Sequence, residues 1–194
     1  MAVQSSFKNM TVCLFAICLV CSALLAGVYA LTKEPIDAAA KAKNEAAIKE
    51  VLPETASAIE EERTVEMDGV AYTYNLAYDA SGNTVGCAIN VSTLGFGGPI
   101  AIKVGFDMNG VICNTKVLSQ AETPGLGAKC VEPSFSGQFK GFDPAEKKLS
   151  VKKDGGDVDA ITASTITSRA YADGLLLATK VFQAIGQTPM PINE

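Results

Sequence analysis

The apolar and polar positions divide this chain into segments of different period. From Met10 to Leu31 it is apolar almost throughout and carries no charged residue. At about 20 residues, this run has the length of a helix spanning a hydrocarbon core of about 30 Å. Ile36 to Leu52 is rich in Ala, Lys and Glu, with a modest apolar face of Ile36, Ala40, Ala47, Ile48, Val51 and Leu52. This predicts a helix that continues from the first, or hinges on it near Pro35, and stops at Pro53.

From Val70 the period changes to two. Tyr72, Tyr74, Leu76 and Tyr78 alternate with Ala71, Thr73, Asn75 and Ala77, which predicts a strand over 70–78. The turn Ala80-Ser-Gly-Asn83 leads to an antiparallel partner over 85–91. A second pair, 100–106 and 111–118, is joined by Asp107-Met-Asn-Gly110, and Asn-Gly is a strong hairpin signal. From Arg169 to about Ile185 an apolar run with Leu175, Leu176, Leu177, Val181 and Phe182 predicts a helix packed on one face of the sheet. Strands and helices do not alternate, so the expected class is α+β. Its predicted parts are an N-terminal segment 1–9, a transmembrane helix 10–31, a helical linker 32–68, and an antiparallel-sheet domain with a C-terminal helix over 69–194.

Composition narrows the chemistry. The net charge is −5 with no basic cluster, which speaks against nucleic acid as a partner. There is no His, so the commonest general base, the hydrolytic triads and the commonest metal ligand are missing. Self-contained hydrolysis and a metal site are not expected. Cys13, Cys18 and Cys21 lie in the apolar run, where they pack as small hydrophobes. Cys87, Cys113 and Cys130 form no CxxC pair, and as an odd set they leave at least one free thiol. The Glu60-Glu-Glu62 cluster reads as a solvated surface.

Lys8 before the apolar run favours an N-terminus in the cytoplasm, with the rest outside. Val28-Tyr-Ala30 would also suit a signal peptidase, giving a secreted domain. The long run and its barely basic leader favour a retained anchor in membrane lipid. A lipoprotein site at Cys21 fits poorly behind Cys18-Leu-Val.

Two Gly-rich loops, Gly95-Phe-Gly-Gly-Pro-Ile100 and Glu122-Thr-Pro-Gly-Leu-Gly127, interrupt the strand pattern. Each could be only a turn, or could let backbone amides approach a ligand. Neither fits a P-loop or a dinucleotide fingerprint. Just before the last helix stands Asp159-Ala-Ile-Thr-Ala-Ser-Thr-Ile-Thr-Ser168. Its hydroxyls read first as a helix cap, and the same geometry would suit a phosphate site beside free helix N-terminal amides.

The order of Asp159, Thr162, Ala163, Ser164, Thr165, Thr167 and Ser168, with both loops at similar distances before it, resembles the flavinylation motif of FMN-binding domains. These domains occur in the G component of the Rnf electron transport complex and in the C component of the sodium-translocating NADH:quinone oxidoreductase. The compact length and the run from anchor to domain resemble the Rnf component more. Ala163 stands where the family has Gly, and Ser164 where it has Ala. If the Gly position needs positive φ, Ala there costs on the order of 1 kcal/mol.

The resemblance implies an electron-transfer component of an ion-translocating ferredoxin:NAD+ oxidoreductase in the bacterial cytoplasmic membrane, with its soluble domain on the extracytoplasmic side and no stand-alone catalysis. FMN would be joined through its phosphate to Thr165, with Thr162, Ser164, Thr167, Ser168 and the helix amides around it. Gly97, Gly98, Glu122, Thr123, Gly125, Leu126 and Gly127 would line the ring or ribityl side. Implied partners are the other membrane and peripheral subunits of the Rnf complex (A, B, C, D and E) and a flavin transferase that attaches FMN from FAD. The alternatives are the quinone-reductase component, a cofactor-free anchored scaffold, a secreted flavoprotein, or a flavin-domain protein outside a respiratory pump.

Overall fold

The computed structural model describes residues 7–187 and falls into two units, one ending at Lys43 and one beginning at Asn44. Helix α1 covers Phe7–Val51, with Pro35 inside it. Its N-terminal part holds the only stretch among the described residues long and apolar enough to cross a membrane. Every residue of α1 from Phe7 to Lys43 is exposed, as suits a helix whose apolar part faces lipid.

The second unit is a six-stranded antiparallel sheet with one long helix on its face. The strands are β1 (Ala58–Ile59), β2 (Arg63–Met67), β3 (Val70–Tyr78), β4 (Thr84–Leu94), β5 (Pro99–Asp107) and β6 (Ile112–Ser119). They follow the order β1-β3-β4-β5-β6, with β2 also paired to β3. Both predicted hairpins are present, and an Asp shapes each turn. Asp79 Oδ1 accepts from the amides of Ser81 and Asn83 at 2.7 and 2.9 Å, and Asp107 Oδ1 from those of Asn109 and Val111 at 2.9 Å. A short helix α2 (Pro133–Ser136) lies in the long loop after β6, and α3 covers Thr165–Gln187.

The alternation of β5 sorts its two faces. Ile100, Ile102, Val104 and Phe106 are wholly buried under α3, where Ala170, Tyr171, Leu175, Ala178 and Val181 meet them. Tyr171 stacks on Phe139 at 5.1 Å and shares a 2.8 Å hydrogen bond with the Thr115 hydroxyl on β6. On the other face lies the end of α1, with Ile48, Val51 and Leu52 packed against Ala77 and Ala88. Gly105 permits this approach, because a Cβ there would overlap the Val51 carbonyl. Lys103 is also on this face. It is fully buried, and its ammonium donates to Asn75 Oδ1 at 3.5 Å.

The linker is helical as far as Val51, in keeping with the stop expected at Pro53, but residues 58–59 and 63–67 of the segment expected to be a helical linker join the sheet. Nor is Glu60-Glu-Glu62 only a solvated surface. The Glu60 carboxylate accepts from Arg63 and, at 2.8 Å, from the Tyr78 hydroxyl, while Glu62 accepts from Asn90 at 3.0 Å. These contacts fasten the β1–β2 strip to the sheet. Hydrogen bonding, first to Tyr78, holds the Glu60 carboxyl below its ordinary value against the opposing effect of burial. The six cysteines are all free thiols.

Candidate functional site

Helix α3 begins at Thr165, four residues before the predicted Arg169. The hydroxyl cluster is therefore partly its first turn and not wholly a preceding cap. The Ser164 carbonyl accepts the first helical bond, from the Ser168 amide at 3.0 Å. Ser168 Oγ donates to the same carbonyl at 2.9 Å and accepts from the Ile161 amide at 2.9 Å, closing the 161–168 segment on itself. Ser168 is wholly buried in this role. Ala163 turns the chain into the helix at φ 62°, the left-handed region.

The cleft at the start of α3 has a volume of about 400 Å³, within the range of small-molecule and cofactor sites. Glu122, Thr123, Leu126 and Gly127 line it from one loop, Ser164, Thr165 and Thr167 from the helix start, and Phe96 from the other loop. Phe96, Leu126 and Ile166 leave much of their apolar surface open there. The Thr165 side chain is half-buried, and among the described residues its hydroxyl makes no hydrogen bond.

Glu122 organises this cleft. It is 6 % exposed, and both carboxylate oxygens accept: Oε1 from the Gly97 amide at 3.0 Å, Oε2 from the Thr167 hydroxyl at 2.7 Å. One side chain thereby joins both Gly-rich loops to α3. The glycines of the two loops make room for it, since a Cβ at Gly95 would overlap Oε1 and one at Gly127 would overlap Oε2 and the Thr167 hydroxyl. Behind it, burial and then the nearby Glu122 push the Cys130 thiol up to about 11, so it remains a neutral packing group.

Residues 95–180 match the FMN-binding domain family, and residues 1–51 match the RnfG N-terminal region. The G component of an ion-translocating oxidoreductase complex from Methanosarcina acetivorans is 34% identical over 179 residues, covering 90% of this chain and 94% of that protein. The chain belongs to the RnfG family. The RnfG-type component of a Na(+)-translocating ferredoxin:NAD(+) oxidoreductase complex from Acetobacterium woodii is 34% identical over 113 residues, covering 56% of this chain and 54% of that one. A crystal structure of the C component of a Na(+)-translocating NADH-quinone reductase, from Parabacteroides distasonis, aligns with a TM-score of 0.49 at 24% identity, over 70% of this chain and 80% of that one.

The FMN-binding region matched in this member of the RnfG family contains every residue lining the Thr165 cleft. The structure brings together Glu122, Thr123, Leu126, Gly127, Ser164, Thr165 and Thr167, and leaves out other residues expected at the site. Thr162 lines a neighbouring cleft with Lys129 and Asp159, and Ser168 is turned inward. Gly97 and Gly98 support the loop without lining the cleft, as does Gly125, which turns at φ 78°. Sequence reasoning missed Phe96, Ala163 and Ile166 as lining residues. For Phe96 the available signal was a large aromatic side chain between glycines in a loop.

Proposed function

We propose that this chain is the membrane-anchored, FMN-carrying electron-transfer subunit of an ion-translocating ferredoxin:NAD+ oxidoreductase, with FMN joined through its phosphate to Thr165. The observation that carries the reading is the Thr165 hydroxyl. It lies in a cofactor-sized cleft and makes no hydrogen bond among the described residues, while the hydroxyls of Thr167 and Ser168 beside it are engaged. The relatives' names and the FMN-binding family match support the same reading.

The residues present fit such a group. Phe96, Leu126 and Ile166 offer apolar surface to a planar ring. Glu122 fixes the two loops, and the first amides of α3, which lack intrahelical acceptors, would be the donors available to the phosphate end. FMN, when bound, supplies the one- and two-electron chemistry, so the chain needs no acid or base of its own. The ester forms by substitution at phosphorus. A separate transferase would supply FMN from FAD, with AMP leaving and the hydroxyl proton passing to the transferase, and Thr165 Oγ1 would be the oxygen that holds it. In this reading α1 spans the membrane over 10–31, the sheet domain lies on the extracytoplasmic side, and further membrane and peripheral proteins of the complex are its partners.

The test is intact-mass measurement and in-gel flavin fluorescence on chain made in cells that contain the transferase. The native chain is expected to carry one FMN and Thr165→Ala none. A bare native chain, or a flavinylated Thr165→Ala variant, would refute the assignment.

A further inference from the structure

We infer that, before any covalent bond forms, the Thr165 cleft favours a flavin without a phosphate, riboflavin, over FMN. The ester, and not affinity, would then hold the phosphate end. This rests on the flavin reading above and concerns the selectivity of the same cleft.

The charges around the cleft carry the inference. Among the described residues lining it there is no Lys or Arg, and the one charged group is Glu122. Both of its buried oxygens accept hydrogen bonds. Nearby cations are committed or face elsewhere. The Arg169 guanidinium is held on Asp154 by two bonds of 2.7 and 2.8 Å, and Lys152 pairs with Asp159. Lys129 lines the neighbouring cleft beside Thr162.

Two of the hydroxyls expected to receive a phosphate are engaged too. Thr167 donates to Glu122, and Ser168 bridges Ile161 and Ser164. What remains for an anion is uncharged: the Thr123 and Ser164 hydroxyls and the start of α3, whose amides carry only a partial positive charge. They face a full negative charge in a partly dry site, where repulsion is weakly screened.

A free phosphomonoester carries up to two negative charges near neutral pH, because its second pKa lies at about 6. Joined to Thr165 as a diester it keeps one. Esterification thus removes charge where the chain provides no cation. The ring is common to both flavins and meets Phe96, Leu126 and Ile166 in either case.

The experiment uses the full chain in detergent with Thr165→Ala, titrated with riboflavin and with FMN by flavin fluorescence at low and high salt. Riboflavin is expected to bind more tightly than FMN at low salt, with the gap narrowing at high salt, and equal affinity at low salt overturns the inference. Adding Glu122→Gln removes the charge, while its amide oxygen can still accept from Gly97 and its NH2 can donate to Thr167 Oγ1 once that hydroxyl turns. This change is expected to tighten FMN by about tenfold relative to riboflavin. Tighter FMN binding at low salt overturns the inference, and loss of that advantage in Lys129→Gln would identify the counter-charge. Binding of neither flavin, or an equal response of both to Glu122→Gln, also overturns it. None of these results touches the covalent assignment, which depends on the mass of the native chain.

Discussion

The Thr167 hydroxyl donates to Glu122 Oε2 at 2.7 Å across 45 residues of sequence, and both side chains are buried. This bond ties the loop after β6 to the first turn of α3, and the other carboxylate oxygen ties in the loop between β4 and β5. Removing the donor leaves a buried carboxylate oxygen unpartnered. Thr167→Val is therefore expected to cost about 1–3 kcal/mol, whereas Thr167→Ser keeps the bond and most of the stability. Urea unfolding of the two variants checks this, and equal midpoints would refute it.

Ala163 at φ 62° occupies a backbone region that L side chains adopt at a cost. Ala163→Gly relieves that strain but also gives the unfolded chain more freedom. The net expectation is a gain of up to about 1 kcal/mol, with Ala163→Val losing more than about 1 kcal/mol. Denaturant titration measures both, and a glycine variant less stable than the native chain would contradict the strain argument.

The neighbouring serines are expected to behave differently. Ser164 acts through its backbone carbonyl, so Ser164→Ala is expected to change stability by less than about 0.5 kcal/mol and to retain its flavin. The Ser168 hydroxyl both donates and accepts inside the core. Ser168→Ala strands the Ile161 amide and is expected to cost about 1–3 kcal/mol. Thermal melting, with flavin content read by absorbance, separates the two.

Burial lowers the Lys103 ammonium to about 8, partly offset by Glu62. In the folded state the charged form is disfavoured, so the unfolded chain binds more protons between pH 8 and the ordinary lysine value of 10.5. The cost is full below pH 8 and fades as pH rises through that window. Lys103→Met is expected to gain roughly 1–3 kcal/mol at about pH 7 over the native chain. That difference should close towards pH 10.5. The raised Cys87, Cys113, Cys130 and Tyr171 groups titrate in the opposite sense, but they are common to both chains. A pH-independent difference in unfolding midpoint would refute the assignment.

Both hairpins, the C-terminal helix and the apolar N-terminal run were legible in the sequence, because each rests on local periodicity or turn chemistry. The strands β1 and β2 were not. β1 has 2 residues and β2 alternates only over Thr64-Val65-Glu66-Met67, too short a stretch to stand out, and both pair along the edge that β3 leaves open. At the site, Thr165, Glu122 and the ETPGLG loop were legible from the resemblance. Which hydroxyls would be free was not, because Thr167 and Ser168 find their partners only after folding. Phe96 became visible as a lining residue only once the loop was placed against α3.

Two short strands, β1 of 2 residues and β2 of 5, follow one another along the outer border of β3. A border broken in this way gives an incoming strand from another molecule little straight backbone to pair with, as sheet proteins that avoid edge-to-edge association commonly arrange. Deleting residues 58–67 would uncover the 9 residues of β3, turning a protected margin into a template for aggregation.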